Sequence, residues 1–121
     1  MVKFYEQVTG MPVLRYTPDF AELQTPTATL AIGSTGTLQF LGGNSVAEPL
    51  QNRSAIIEFR VENVDWDYER LADFLQPYIV QHPTIMPWGN KSLLFRDPDG
   101  NLVNLFTPVM PEAIKKFESK E

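Results

Sequence analysis

Apolar positions along the chain follow a helical period in some stretches and a strand period in others. At Val2, Tyr5 and Val8, with Phe4 beside them, the spacing is that of a short amphipathic helix, and Gly10 stops it. Pro12 to Tyr16 then reads as a strand, Asp19 to Thr25 as a loop, and Thr27 to Ile32, mixing Thr, Leu and Ile, as a strand. Gly33 to Gly36 reads as a turn and Thr37 to Leu41 as the strand that follows it. Asn44 to Arg53 has no period and is a connecting loop.

Ala55 to Val61 alternates most clearly. Ile57, Phe59 and Val61 share one face, and Ile56, Glu58 and Arg60 share the other. Asp65 is placed to cap the next helix, with Val64 as its staple, and Tyr68, Leu71, Phe74 and Leu75 form its buried side up to Gln76, before Pro77. A strand near Tyr78 to His82 and a loop over Pro83 to Asn90 come next. Two apolar runs then flank Asp97-Pro-Asp-Gly-Asn101 as the arms of a hairpin flank its turn. Pro111 opens a last helix whose apolar side carries Ile114 and Phe117. The order is helix, three strands, then strand, helix, three strands and a tail helix. The second half is a βαβββ unit, and the first half is the same unit without its opening strand.

Composition adds exclusions. At 121 residues the chain is expected to be one domain, with a first module at 1–50, a second at 51–108 and a tail helix at 109–121. Cysteine is absent, which removes disulfides, thiolate ligands and a Cys nucleophile. No apolar run approaches the roughly 18 residues of a membrane helix and no signal peptide opens the chain, so a cytoplasmic protein with no membrane partner is expected. The net charge of −5 argues against nucleic acid, since Lys115, Lys116 and Lys120 are interleaved with Glu112, Glu118 and Glu121. No nucleophile–base pair and no phosphate-cradling glycine loop is readable.

Three segments carry a resemblance. Phe4-Tyr-Glu-Gln-Val-Thr-Gly-Met11, Phe59-Arg-Val-Glu-Asn-Val-Asp65 and Asp97-Pro-Asp-Gly-Asn101 are similar, in order and spacing, to the first helix, the second strand-to-helix step and the late turn of the vicinal oxygen chelate superfamily. That group includes glyoxalase I, bleomycin-resistance proteins, fosfomycin-resistance enzymes and extradiol dioxygenases. The resemblance implies an α+β fold of two βαβββ modules in a cupped mixed sheet around a pocket, commonly within a homodimer. Here the first module is expected to show three strands, with the edge left by the fourth covered by another chain.

The resemblance also implies a divalent metal held from four strands. The first ligand position falls before Met1, the second at Gln39, the third at Ile56 and the fourth, usually Glu, at Asn104. Ile56 has no donor atom, and two neutral amides bring no charge to offset dehydration of a divalent ion. No metal and no cofactor is therefore expected.

Alternation places Gln39, Ile56, Glu58, Arg60, Leu102, Asn104 and Phe106 on the concave face, and Leu38, Phe40, Ile57, Phe59, Val61, Val103 and Leu105 under the helices. Glu58 and Arg60 either pair across the cup or sit at a wet rim. Asn104 is either a hydrogen-bonding group at the pocket floor or a structural amide. Trp88 either stacks on a planar ligand or caps the core, and Trp66 reads as surface packing or a dimer contact. The lone His82 has no ligand pattern around it. The favoured reading is a metal-free small-molecule binder of the drug-sequestering kind, its ligand held by Gln39, Ile56, Glu58, Arg60, Trp88, Asn104 and Phe106. The alternatives are a divalent-metal lyase, isomerase or dioxygenase using unexpected ligands such as Glu58 and His82, or a dimerising module with no ligand.

Overall fold

The computed structural model describes residues 1–118 and resolves the chain into two compact units, Met1–Asn52 and Arg53–Glu121. The last positions of the expected tail, 119–121, lie outside the described residues. Both units mix helix and sheet, as the α+β reading requires.

In the first unit, α1 (Val2–Thr9) buries Phe4, Tyr5 and Val8 and ends at Gly10, whose left-handed φ of 71° lets its N–H reach Glu6 O. The Glu6 carboxylate also accepts from Val13 N, tying the helix to β1 (Val13–Thr17). β1 pairs antiparallel with β2 (Phe20–Gln24), and β2 with β3 (Thr29–Gly33). The sheet has three strands, as expected, but not the expected three. The stretch read as a loop, Asp19 to Thr25, contains the central strand β2, with Ala21 and Leu23 on its buried side. Thr37 to Leu41 is not a strand: Thr35–Phe40 winds into a 3-10 helix. The cause lies in Ser34, whose hydroxyl donates to Asp19 Oδ1 (2.6 Å) and accepts from Gly36 N, while Ser34 O takes the Thr37 hydroxyl. These bonds close a tight turn where an extended chain would have left the same groups unmet. Phe40, expected under a helix, is 80% exposed as a result.

The second unit is a four-stranded mixed sheet in the order β4-β7-β6-β5. β4 (Ile56–Arg60) runs parallel to β7 (Leu102–Pro108), and β6 (Asn90–Arg96) is antiparallel to both β7 and β5 (Ile79–Ile85). Between β4 and β5, α2 (Val64–Leu75) packs on β5, β6 and β7, with Val64, Leu71 and Leu75 against the core that holds Leu93, Phe95, Val103 and Leu105. Its cap is Asn63, not Asp65: the Asn63 amide oxygen accepts from Asp65 N and Trp66 N. Asp65 instead pairs with Lys91 across to β6 (2.9 Å). The loop expected over Pro83 to Asn90 is shorter, because β5 runs on to Ile85 and β6 starts at Asn90.

The β6–β7 turn is built on Asp97. One of its carboxylate oxygens accepts from Asp99 N and Asn101 N, and the other from Asn101 Nδ2, all at 2.9 Å. Gly100, at φ 86°, completes the reversal. The tail helix α3 (Pro111–Glu118) is anchored through Gly89, whose carbonyl accepts from Val109 N and Met110 N.

Candidate functional site

Register fixes which side chains share a face in the second unit. Glu58 faces Asn104, Arg60 faces Phe106, Ser92 faces Phe106, and Leu94 faces Asn104. Lys91 and Thr107, which alternate with these, reach into α2: Lys91 to Asp65, and Thr107 to Val64 N. The face carrying Glu58, Arg60, Ser92, Asn104 and Phe106 is therefore the one turned away from α2.

Polar groups concentrate there. Asn104 Nδ2 donates to Glu58 Oε2 at 2.7 Å, a charge-assisted bond between neighbouring strands. Glu58 is exposed at the sheet edge, whereas Asn104 is 6% exposed. The other end of that amide, Asn104 Oδ1, is buried with no partner among the described residues, and so are Ser92 Oγ and Asn90 Oδ1 on β6. Buried polar atoms without protein partners are uncommon in folded chains, and such atoms are met by an ordered water or a bound group.

Arg60 turns to the tail helix rather than to Glu58. Its guanidinium lies 5.6 Å from the centre of the Phe117 ring and donates to Phe117 O. Phe117 also packs on Phe106, with ring centres 5.3 Å apart, so α3 lies on this same face. An open groove of about 420 Å³ runs between Arg60–Glu62 and the Ile114–Phe117 side of α3.

The sequence-derived set is thus only partly gathered. Glu58 and Asn104 are bonded, Arg60 and Phe106 share the Phe117 contact, and Ile56 is exposed at the edge opposite Leu102. Trp88 sits in the β5–β6 turn, 65% exposed. Gln39 lies in the first unit on the 3-10 helix, where strand alternation no longer assigns it a face. Ser92 and Phe117 were not singled out for this face. The signal for Ser92 was present, since Asn90 and Ser92 alternate with Lys91 and Leu93; the fold of α3 onto β7 had no local signal.

The donor set does not suit a divalent ion. Among the described residues no group of three or more His, Cys, Asp or Glu converges. Glu58 and His82 do not meet, because β4 and β5 are opposite edges of the sheet, about 14 Å apart at the usual strand spacing. The His82 ring packs edge-on against Tyr68 of α2, on the other side. Glu58 and Asn104 alone supply one carboxylate, already shared with an amide, and one neutral oxygen.

A family model described as the Glyoxalase/Bleomycin resistance protein/Dioxygenase superfamily matches residues 1–105. Among solved structures, a glyoxalase/bleomycin resistance protein/dioxygenase from Nocardioides is 23% identical, with 91% of this chain and 75% of that one covered and a TM-score of 0.69. A family enzyme of the same description from Burkholderia phytofirmans PsJN is 16% identical, covering 88% and 87%, with a TM-score of 0.73. A glyoxalase-related enzyme from Fulvimarina pelagi is 17% identical, covering 88% and 76%, with a TM-score of 0.69. At these identities the likeness is one of fold. No curated protein matches the chain.

Proposed function

Since the chain belongs to the Glyoxalase/Bleomycin resistance protein/Dioxygenase superfamily, we propose that it works as a metal-free small-molecule binder of that fold, holding its ligand on the polar face of β4, β6 and β7. The observation that carries this reading is the Asn104 Nδ2 to Glu58 Oε2 bond of 2.7 Å. At the position where the family resemblance places a metal-binding carboxylate, an amide occupies the neighbouring carboxylate instead. Binding asks for a few placed polar groups beside apolar surface, and Glu58, Asn104 and Ser92, with Phe106 as an apolar neighbour, support the reading.

Sequestration needs affinity without a reaction step, which agrees with the absence of a readable nucleophile–base pair. A homodimer belongs to the same proposal. Among the described residues β4 pairs with a strand on one side only, and an open sheet edge invites pairing with another chain.

Calorimetric titration with planar and cationic compounds tests binding, and elemental analysis with thermal shifts on adding nickel, zinc, manganese or iron tests the metal. The expected outcome is saturable binding of at least one compound, with no stoichiometric metal and no metal-induced shift. A stoichiometric metal that stabilises the fold would replace this reading with the lyase, isomerase or dioxygenase alternative. Light scattering would show a monomer if the dimer proposal is wrong.

A further inference from the structure

Resting on that binding reading, we infer that the polar centre formed by Glu58, Asn104 and Ser92 receives a protonated amine of the ligand, not a carboxylate, a phosphate or a metal ion. The basis is a count of hydrogen-bonding valences. Asn104 commits Nδ2 to Glu58 Oε2, which directs Oδ1 away from that carboxylate, where no protein donor meets it. Ser92 Oγ has no partner either, and Ser92 is 1% exposed. Because Ser92 faces Phe106 and Asn104 faces Leu94, the two lie on a diagonal of the β6–β7 ladder. Such diagonals separate positions by about 7 Å, within reach of one small group between the side chains. Glu58, beside Asn104 on β4, adds the negative charge.

Every free valence here is an acceptor, apart from the hydroxyl, which serves as either. An ammonium brings donors only, together with the complementary charge. A carboxylate or phosphate brings acceptors and repels Glu58. A divalent ion needs more charge than one carboxylate, already bonded to an amide, can give it. The net charge of −5 favours approach of a cation. Of the three groups Glu58 is the exposed one, so it meets the ammonium first, with Asn104 directly beside it on β7. Asn90, two positions before Ser92 and opposite Pro108, is too far along β6 to share the same head group.

Isotope-labelled protein titrated at neutral pH with benzylamine, benzyl alcohol, benzoate and magnesium chloride, followed at the Asn104 side-chain amide resonances, tests this. Benzylamine is expected to move those resonances and to bind at least about tenfold more tightly than benzyl alcohol, with benzoate and magnesium not competing. Glu58→Gln is expected to weaken benzylamine about tenfold and benzyl alcohol by no more than about twofold, while Glu58→Asp, which keeps the charge, retains most of the affinity. Ser92→Ala is expected to weaken benzylamine about threefold. Benzoate or magnesium binding as well as benzylamine, or an unaffected Glu58→Gln, overturns the amine assignment and leaves the binding reading standing. Unchanged affinity in Ser92→Ala would mean that the hydroxyl meets only structural water, and would remove Ser92 from the site. If no organic probe binds at all, the binding reading falls with it.

Discussion

Replacing Asn104 with leucine separates a binding amide from a structural one, because the two make opposite demands on stability. The substitution removes the Nδ2 bond to Glu58. Glu58 is exposed and recovers water, so this loss is about 1.5 kcal/mol, the low end for a bond to a charged group. It also removes Oδ1, which is buried without a partner, and such an acceptor costs about 1–3 kcal/mol while it stays unmet. Leucine is close to asparagine in length and buries apolar surface at a site only 6% exposed. The balance is a stabilisation of about 1–2 kcal/mol. In urea unfolding the midpoint should rise with an unchanged slope, and the melting temperature should rise by about 3–8 °C. The same variant should lose its affinity for amines. A Leu variant destabilised by more than about 1 kcal/mol would refute the reasoning, since it would show that Oδ1 is already met and the amide holds the sheet together. Greater stability with lost binding is the pattern of a residue kept for function at a cost to the fold.

Four further substitutions have outcomes set by the same kinds of contact. Asp97→Ala frees three donors in the turn, two backbone N–H groups and the Asn101 amide, and should cost about 2–4 kcal/mol in urea unfolding. Asn63→Ala removes the cap of α2 and should cost about 1 kcal/mol; Asp65→Asn, which breaks only a surface ion pair with Lys91, should cost less than about 0.5 kcal/mol. Gly89→Ala meets two obstacles, a φ of 96° and a new Cβ 3.0 Å from the Cβ atoms of Ala113 and Met110. A loss of about 1–3 kcal/mol is expected, with faster hydrogen exchange across Pro111–Glu118 as α3 loosens.

What could be read in advance was read from local pattern. The α1 stripe and its Gly10 stop, the alternation of β4, and the Asp97–Asn101 turn each rest on residues close together in sequence. The misreadings were non-local. In β2 the buried residues are Ala21 and Leu23, too modest a pattern to announce a strand, and pairing with both β1 and β3 makes it the centre of its sheet. Thr37 to Leu41 reads as extended because Leu38 and Phe40 alternate with Thr37 and Gln39, yet Thr35–Phe40 is a 3-10 helix. The deciding contact is Ser34 with Asp19, made only once β2 and β3 have brought them together.

The sequence by itself determined that this is a cysteine-free, acidic α+β chain with a βαβββ second half and with amide and aliphatic residues at positions where the family resemblance places metal ligands. Side-chain identity settles such matters, because a residue without a donor atom cannot acquire one by folding. Only the tertiary structure decided that Asn104 donates to Glu58, that Ser92 and Asn104 keep unmet oxygens on the same face, and that Phe117 of the tail helix lies against Arg60 and Phe106. Those facts depend on strand register and helix docking, which join residues dozens of positions apart and leave no periodic trace in the chain.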